Sequence, residues 1–135
     1  MINITPIGHV SSPLVHPEHA PKQGNEGAPE AWLVFEPEIE AGLTDLQVGE
    51  EILVLTWLDR GDRRTLRVHP RDDQNVPLRG VFSTRSEDRP NPVGIHRVRI
   101  VERESPLRFK VLDLEALDGT PIIDVKPVLD RFQER

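Results

Sequence analysis

The sequence predicts a mainly β protein, in which a small, single-sheeted antiparallel β-barrel carries one short helix. Its 135 residues suit one domain with one hydrophobic core. Thirteen prolines and nine glycines interrupt the chain often, which disfavours long helices. Most pieces between these breaks either alternate apolar and polar residues or are rich in branched apolar residues, as strands are. Six or seven short strands with little helix indicate a closed or nearly closed antiparallel barrel.

The predicted strands follow one another at short intervals along the chain. They cover residues 4–10, 31–35, 51–58, 65–69, 94–101, 109–117 and 121–126. In the strand over 94–101, a period of two places Ile95, Arg97 and Arg99 on one face and the other residues on the opposite face. Asp118 and Gly119 give a strong turn signal, so the segments on either side of them read locally as a hairpin.

One segment has a helical pattern. Between residues 37 and 48, Ile39, Leu43 and Leu46 recur at spacings of four and three, which predicts a short helix. Residues 16–29 hold three prolines and two glycines and are expected to form a long loop, which in a small domain is usually functional or disordered.

The composition excludes several classes of protein. The chain has no cysteine, so disulfides, thiolate metal sites and cysteine nucleophiles are excluded. No apolar run approaches the roughly 20 residues of a membrane span, and the first residues lack the pattern of a signal peptide. We therefore expect a cytoplasmic protein without a membrane partner.

The net charge of −6 is unevenly distributed. Ten arginines and five acids between residues 60 and 99 give that window a charge of +5, whereas the rest of the chain carries −11. A basic segment in an acidic body suits a local anionic ligand. The alternative is that these arginines form ion pairs with acids elsewhere in the chain.

The loop over residues 80–94 (GVFSTRSEDRPNPVG) is the most unusual stretch. Pro90 and Pro92 bracket Asn91 and make this unit stiff, because proline fixes its own φ and restricts the residue before it. A stiff loop that presents a carboxamide and the guanidiniums of Arg85 and Arg89 suits a ligand site that binds with little loss of entropy. The alternative is a proline-rich connection with solvated arginines.

Other catalytic patterns are absent from the sequence. His16 and His19 lie three apart in a segment with prolines, so their spacing does not predict a metal site, and no metal is expected. Ser83 and Ser86 lack the nucleophile-elbow pattern of serine hydrolases. There is no glycine-rich phosphate loop, which excludes the common dinucleotide and Rossmann-type methyltransferase fingerprints.

Several units together resemble the TsaA-like (TrmO) family. They are an opening IGHVSSP at 7–13, GVFSTRS at 80–86, RPNPVG at 89–94, DGTP at 118–121 and DVKP at 124–127. The resemblance covers nearly the whole chain, and the two central motifs are highly specific. It implies a dimeric β-barrel that binds S-adenosyl-L-methionine near the subunit interface. It also implies methylation of N6 of a threonylcarbamoyl-adenosine beside the tRNA anticodon.

The resemblance also implies which residues act. Residues 21–23 match the cofactor loop of the family, and 59–60 replace a family histidine and its neighbour. The implied cofactor-binding residues are Pro21, Lys22, Gln23, Asp59, Arg60, Arg85, Ile95, Asp118, Gly119, Thr120 and Pro121. Val128 stands where the family has a tyrosine. We expect one domain over residues 1–135, without the C-terminal domain of longer members.

The expected chemistry is methyl transfer to an amine held in line with a sulfonium, which is catalysis by positioning. An acceptor for the N–H proton would make the amine nucleophilic, and Asn91 is the candidate. Phosphate contacts are expected from four arginines, Arg89, Arg63, Arg64 and Arg97. The alternative function is an S-adenosyl-L-methionine-binding module that has no transferase activity or acts on a small molecule.

Overall fold

The computed structural model describes residues 1–16, 18, 20–22 and 24–130. Within these ranges the chain forms eight strands. They are β1 (Gly8–Ser11), β2 (Ala31–Phe35), β3 (Glu51–Trp57), β4 (Arg67–Val68), β5 (Arg79–Gly80), β6 (Val93–Ser105), β7 (Arg108–Leu112) and β8 (Pro121–Pro127). Short 3-10 helices cover Gly24–Glu26, Pro37–Leu43, Pro70–Asp72 and Val81–Ser83.

Six of the strands close into an antiparallel barrel, which confirms the predicted fold class. Their order around the barrel is β1-β2-β7-β6-β3-β8, and β8 closes onto β1. The remaining two strands, β4 and β5, form a separate two-stranded sheet that the sequence did not predict. All of the strand pairs are antiparallel, as expected for short strands joined by tight turns and loops.

Alternating burial in the strands explains the barrel. Burial alternates along β2 and β3, and the inward-facing residues of the strands form one core. The largest fully buried side chains are Phe109, Leu33, Ile52, Ile100, Leu114 and Ile122. The two faces predicted for residues 94–101 are confirmed, because Ile95, Arg97 and Arg99 are exposed and their neighbours are buried.

The hairpin predicted around Asp118 and Gly119 is wrong. β7 pairs with β2 and β6, whereas β8 pairs with β1 and β3. The preceding strand ends at Leu112, because Asp113 has a φ of 71° and turns the chain away from β6. The segment from Asp113 to Thr120 therefore crosses the end of the barrel, and Gly119, with a φ of 83°, makes the turn into β8.

The helix predicted between residues 37 and 48 is shorter in the structure. It is a 3-10 helix over Pro37–Leu43, followed by a turn in which the Leu46 amide donates to the Leu43 carbonyl at 3.2 Å. Leu43 is buried, and Ile39 and Leu46 pack partly against the core, so the short helix and its turn already bury the apolar residues of the pattern. No helix within the described ranges is long and apolar enough to span a membrane.

Candidate functional site

A cleft of about 560 Å³ lies at one end of the barrel. The segments that follow β3 and precede β6 and β8 line it, and in this antiparallel arrangement those strand ends meet at the same end of the barrel. Its walls come from residues 20–22, 58–60, 68–72, 83–88 and 115–120, together with Arg79 and His96. Segments that are far apart in the sequence therefore build one site.

Eight of the predicted cofactor residues line this cleft. They are Pro21, Lys22, Asp59, Arg60, Arg85, Asp118, Gly119 and Thr120. Gln23 lies outside the described residues. Ile95 and Pro121 do not line the cleft, since Ile95 points outward from β6 and Pro121 is the first residue of β8. Ile95 instead lines a second depression of about 310 Å³, on the barrel wall, that also includes Arg85 and Arg97.

The turn at 118–120 is fastened to the end of β1. The amide of Asp118 donates to the Leu14 carbonyl at 2.7 Å, and the amide of Gly119 donates to the Val10 carbonyl at 2.7 Å. A carboxylate oxygen of Asp118 accepts from the Ser12 amide at 3.0 Å. The turn that the sequence singled out is therefore rigidly placed at the cleft rim.

Arg89, a predicted phosphate contact, forms hydrogen bonds within its own loop. Its guanidinium donates to the carbonyls of Ser86 at 2.6 Å, Val81 at 2.7 Å and Thr84 at 2.5 Å, and the side chain is partly buried. Three carbonyls satisfied by one planar cation fix the shape of the loop. Arg89 therefore shapes the loop that carries Arg85, with its Nε and Nη2 donors directed at carbonyls of that loop.

Asn91 and Arg63 bind each other beside the cleft. The guanidinium of Arg63 donates to the Pro90 carbonyl at 2.7 Å and to the amide oxygen of Asn91 at 3.0 Å, and it lies 5.3 Å from the ring centre of Trp57. Neither residue lines the cleft. The amide oxygen predicted as proton acceptor thus already accepts one hydrogen bond from Arg63 and lies outside the cleft lining.

The arginines of the basic segment divide into two groups. Arg97 forms an ion pair with Glu51 at 2.7 Å, and Arg71 forms one with Glu26 at 2.7 Å. Within the part of the chain that the structure describes, four guanidiniums form no ion pair or side-chain hydrogen bond, and they belong to Arg60, Arg64, Arg79 and Arg85. Three of these, Arg60, Arg79 and Arg85, line the cleft. Arg79 was not among the predicted site residues, because no local pattern distinguishes it from the other arginines of this segment.

Two ion pairs connect residues that precede β2 with the turn at 70–72 on the cleft wall. Lys22 pairs with Asp72, and Arg71 pairs with Glu26. Arg71 and Asp72 both have positive φ, 55° and 60°, which non-glycine residues rarely adopt. Elsewhere in the cleft lining, partial desolvation raises the pKa of Glu87, and the neighbouring Asp88 raises it further.

The floor of the cleft holds a chain of polar side chains that the sequence analysis missed. His96 faces inward from β6, with Nε2 2.7 Å from the Thr56 hydroxyl and Nδ1 2.6 Å from a carboxylate oxygen of Glu115. The signal was present in the period of two along β6, because a strand that points Ile95 outward points His96 inward. The described residues hold no group of three or more side chains arranged for a metal ion.

The fold and the cleft together define a small β-barrel protein with a ligand site built by the loops at one end. Residues 9–134 match the family model of the tRNA-methyltransferase O N-terminal domain. The chain belongs to this family, which confirms the predicted resemblance.

Relatives and solved structures agree with this assignment. The chain is 42% identical over 123 residues to an "S-adenosyl-L-methionine-binding protein" of Archaeoglobus fulgidus, covering 91% of this chain and 86% of the relative. It is 43% identical over 126 residues to a "Probable S-adenosyl-L-methionine-binding protein" of Methanothermobacter thermautotrophicus, covering 93% and 89%. The crystal structure of TrmO from Pseudomonas aeruginosa superposes with a TM-score of 0.75 at 25% identity.

Some relatives are much longer than this chain. The alignment covers the whole of this chain but 59% of the Pseudomonas aeruginosa structure. A second "Probable S-adenosyl-L-methionine-binding protein" of Archaeoglobus fulgidus is 39% identical over 127 residues, which are 94% of this chain and 34% of that relative. Each of these alignments spans at least nine tenths of this chain.

Proposed function

We propose that this chain binds S-adenosyl-L-methionine in the cleft at the barrel end and transfers its methyl group to tRNA. The observation that carries the proposal is the convergence of eight cofactor residues, implied by the family motifs, on one cleft. They come from four separate parts of the chain. Their convergence on one cleft is expected if these motifs bind one ligand, and is not expected if they serve unrelated purposes. The cleft also falls within the range of about 300–1,000 Å³ that small-molecule sites occupy.

The side chains of the cleft fit the groups of this cofactor. The carboxylates of Asp59 and Asp118 suit the ribose hydroxyls, and the guanidinium of Arg85 suits a carboxylate. When bound, the cofactor supplies a methyl group that its sulfonium has already activated. The protein then has to hold the acceptor nitrogen in line with that methyl group and exclude water, which are tasks for a rigid loop such as the one fixed by Arg89.

The proposed acceptor is N6 of a threonylcarbamoyl-adenosine beside the anticodon, in cytoplasmic tRNA. Among the described residues, Arg60, Arg79 and Arg85 form no ion pair, and only Arg60 acts on a cleft carboxylate, that of Glu87, so their charge is available to phosphates. With Arg64, they replace Arg89 and Arg97 as the proposed RNA contacts. Arg63 remains at the edge of this surface, although Pro90 and Asn91 already occupy part of its guanidinium.

A homodimer is also proposed. The outward-facing Ile95 is 39% exposed and lies with Leu53, Val128 and Leu129 in the second depression, where Arg85 also reaches. A second copy bound at this depression would contact Ile95 and Arg85, and Arg85 also lines the cleft. The dimer interface would then adjoin the cofactor site, as the family resemblance implies. Sedimentation equilibrium should give twice the monomer mass, and a monomer at micromolar concentration would refute the dimer.

The test of the proposed function is calorimetry with S-adenosyl-L-methionine, followed by bulk tRNA and a methylation assay on the same sample. We expect cofactor binding, methylated tRNA, and an RNA affinity that falls as salt rises. Arg79→Gln should reduce the slope of log affinity against log salt by about one. Arg99→Gln is the matched control, because Arg99 lies away from the cleft and pairs with Glu51.

A binding module without transferase activity is the second candidate, and the names of the archaeal relatives favour it because they state binding alone. Cofactor binding without any response to RNA would support this alternative. Absence of cofactor binding would contradict both functions.

A further inference from the structure

The cleft floor is the one place where the barrel interior becomes polar among the described residues. The buried polar or charged residues there are Thr56, His96 and Thr120, and all three lie at the cleft end of the barrel. Below them the interior is filled by aliphatic and aromatic side chains. Because a buried polar group has to be hydrogen-bonded to be tolerated, this polar layer needs a specific arrangement.

Three side chains form that arrangement, and it leads outward to the cleft. Thr56 is fully buried, and its hydroxyl lies 2.7 Å from His96 Nε2. His96 Nδ1 lies 2.6 Å from Glu115, whose side chain is 19% exposed and lines the cleft. Gly94 leaves room for the chain, since a Cβ there would lie 2.5 Å from the Thr56 hydroxyl. The carboxylate of Glu115 is therefore the exposed end of a hydrogen-bonded series of side chains that begins in the core at Thr56.

The hydrogen bonds indicate which ring nitrogen of His96 faces the carboxylate and which faces the hydroxyl. An ionised carboxylate only accepts hydrogen bonds, so with Glu115 ionised His96 Nδ1 carries a proton and donates a hydrogen bond to Glu115. In the neutral imidazole Nε2 is then an acceptor, and the Thr56 hydroxyl donates to it. Both ring nitrogens are occupied, which fixes the ring and through it the carboxylate.

The other carboxylates of the cleft are occupied or solvated. Asp72 pairs with Lys22, Asp88 accepts from the Asp62 amide, and Asp118 accepts from the Ser12 amide. Asp59 and Glu87 are exposed at the rim, although partial desolvation of the Glu87 carboxyl raises its pKa. Glu115 is the carboxylate that combines partial burial with a histidine behind it.

We propose that Glu115 accepts the proton that leaves the substrate amine during methyl transfer, with His96 as its positioning residue. This inference rests on the proposed function. The amine nitrogen forms a C–N bond to the methyl group as the C–S bond breaks, and the sulfur keeps that electron pair as a neutral thioether. The nitrogen loses its N–H proton to a carboxylate oxygen of Glu115, which afterwards releases it to water. Glu115 thus takes the role that Asn91 was expected to have.

The first test compares Glu115→Gln with wild type. We expect the dissociation constant for S-adenosyl-L-methionine to change by less than about threefold, because glutamine keeps the shape of the side chain. The turnover number should fall by about 100-fold or more, the usual range for loss of a general base. Glu38→Gln makes the same chemical change on the short helix outside the cleft and should retain wild-type turnover.

A second variant separates proton transfer from structural support. Glu115→Ala removes the carboxylate and leaves space for a small anion, so added formate or acetate should restore turnover at least tenfold, whereas chloride should not. His96→Gln should lower turnover by a smaller factor with an unchanged Michaelis constant, as a positioning residue would. Melting temperatures of all variants show whether they are folded.

One readout does not depend on activity. In nitrogen-15 spectra of the protein without ligand, the Nδ1 proton of His96 should resonate far downfield, and Glu115→Gln should shift it upfield. Unchanged spectra would overturn the contact, and full turnover in Glu115→Gln would overturn the inference while leaving the transferase in place. A wild-type protein that binds the cofactor but methylates no RNA would refute the transferase and this role together.

Discussion

At the scale of the residue, the missing side chain of Gly94 leaves the space that Thr56 and His96 occupy below the cleft. Gly94 lies opposite Thr56 in the β3–β6 pair. A Cβ at this position would lie 2.5 Å from the Thr56 hydroxyl, 2.9 Å from His96 Nε2 and 3.1 Å from Leu58. Two of these atoms belong to the hydrogen-bonded chain below the cleft, so they cannot move without breaking it.

Gly94→Ala should therefore be destabilising. We expect the free energy of unfolding to fall by about 1–3 kcal/mol, the usual cost of overpacking a core, together with loss of the downfield His96 signal. Denaturant unfolding and nitrogen-15 spectra measure the two effects. Gly42→Ala is the matched control, because a Cβ there meets no atom within 4 Å. Equal stability of the two variants would contradict the tight packing at Gly94.

At the scale of the element, the long strand β6 is held to β3 by seven paired residues. Charged side chains on the outer face reinforce this pair, since Glu51 contacts Arg97 at 2.7 Å and Arg99 at 3.1 Å. The hydrogen bond from Arg97 lowers the pKa of Glu51, slight desolvation opposes this, and the charges of Arg97 and Arg99 lower it further. The ionised carboxylate is therefore favoured in the folded protein.

This lowered pKa predicts a dependence of stability on pH. The contribution of Glu51 is fully present above its ordinary pKa of 4.5 and is lost as pH falls through the lower value of the folded protein. Glu51→Gln should melt slightly below wild type at pH 7, and the difference should vanish in strong acid and shrink in high salt. Melting curves from pH 2 to 7 measure it. A difference that is constant with pH would exclude the ion pair as its cause.

At the scale of the whole molecule, the barrel is held unevenly around its circumference. β3 and β6 are paired over seven residues, whereas β1 and β8 are paired at two, Gly8 with Ile122 and His9 with Pro121. Further hydrogen bonds at this seam come from the amide of Val10 to the Thr120 carbonyl at 2.9 Å and from the amide of Gly119 to the Val10 carbonyl at 2.7 Å. The seam thus includes the turn that lines the cleft.

Local opening of the barrel should begin at this seam. The amides of Val10 and Gly119 should exchange with solvent faster than those in the middle of β3, because fewer bonds have to break. Cofactor at 100 times its dissociation constant should slow their exchange up to about 100-fold, if opening the seam abolishes binding. Hydrogen exchange followed by spectroscopy measures both. Slower exchange at the seam than in β3 without ligand would contradict this uneven stability.

Several features could be predicted from the sequence because they are local. The alternation of side chains along residues 94–101 is a property of one strand, and it placed Ile95, Arg97 and Arg99 outward correctly. The barrel followed from many short strands and little helix. The motifs also selected Asp118 and Arg85, which do line the cleft.

The tertiary structure decided which segments meet and which polar groups are already bonded. No local pattern reveals that β8 pairs with β1 and β3 instead of β7, because strand order depends on packing of the whole core. For the same reason the sequence could not show that Arg89 binds three carbonyls of its own loop, or that Arg63 donates to the amide oxygen of Asn91. His96 and Glu115 lie 19 residues apart and meet because the segment after β7 crosses the barrel end. The sequence by itself thus determined the barrel class and most of the strands that form it, because side-chain alternation is local, and the closure of the barrel determined which side chains meet at the cleft.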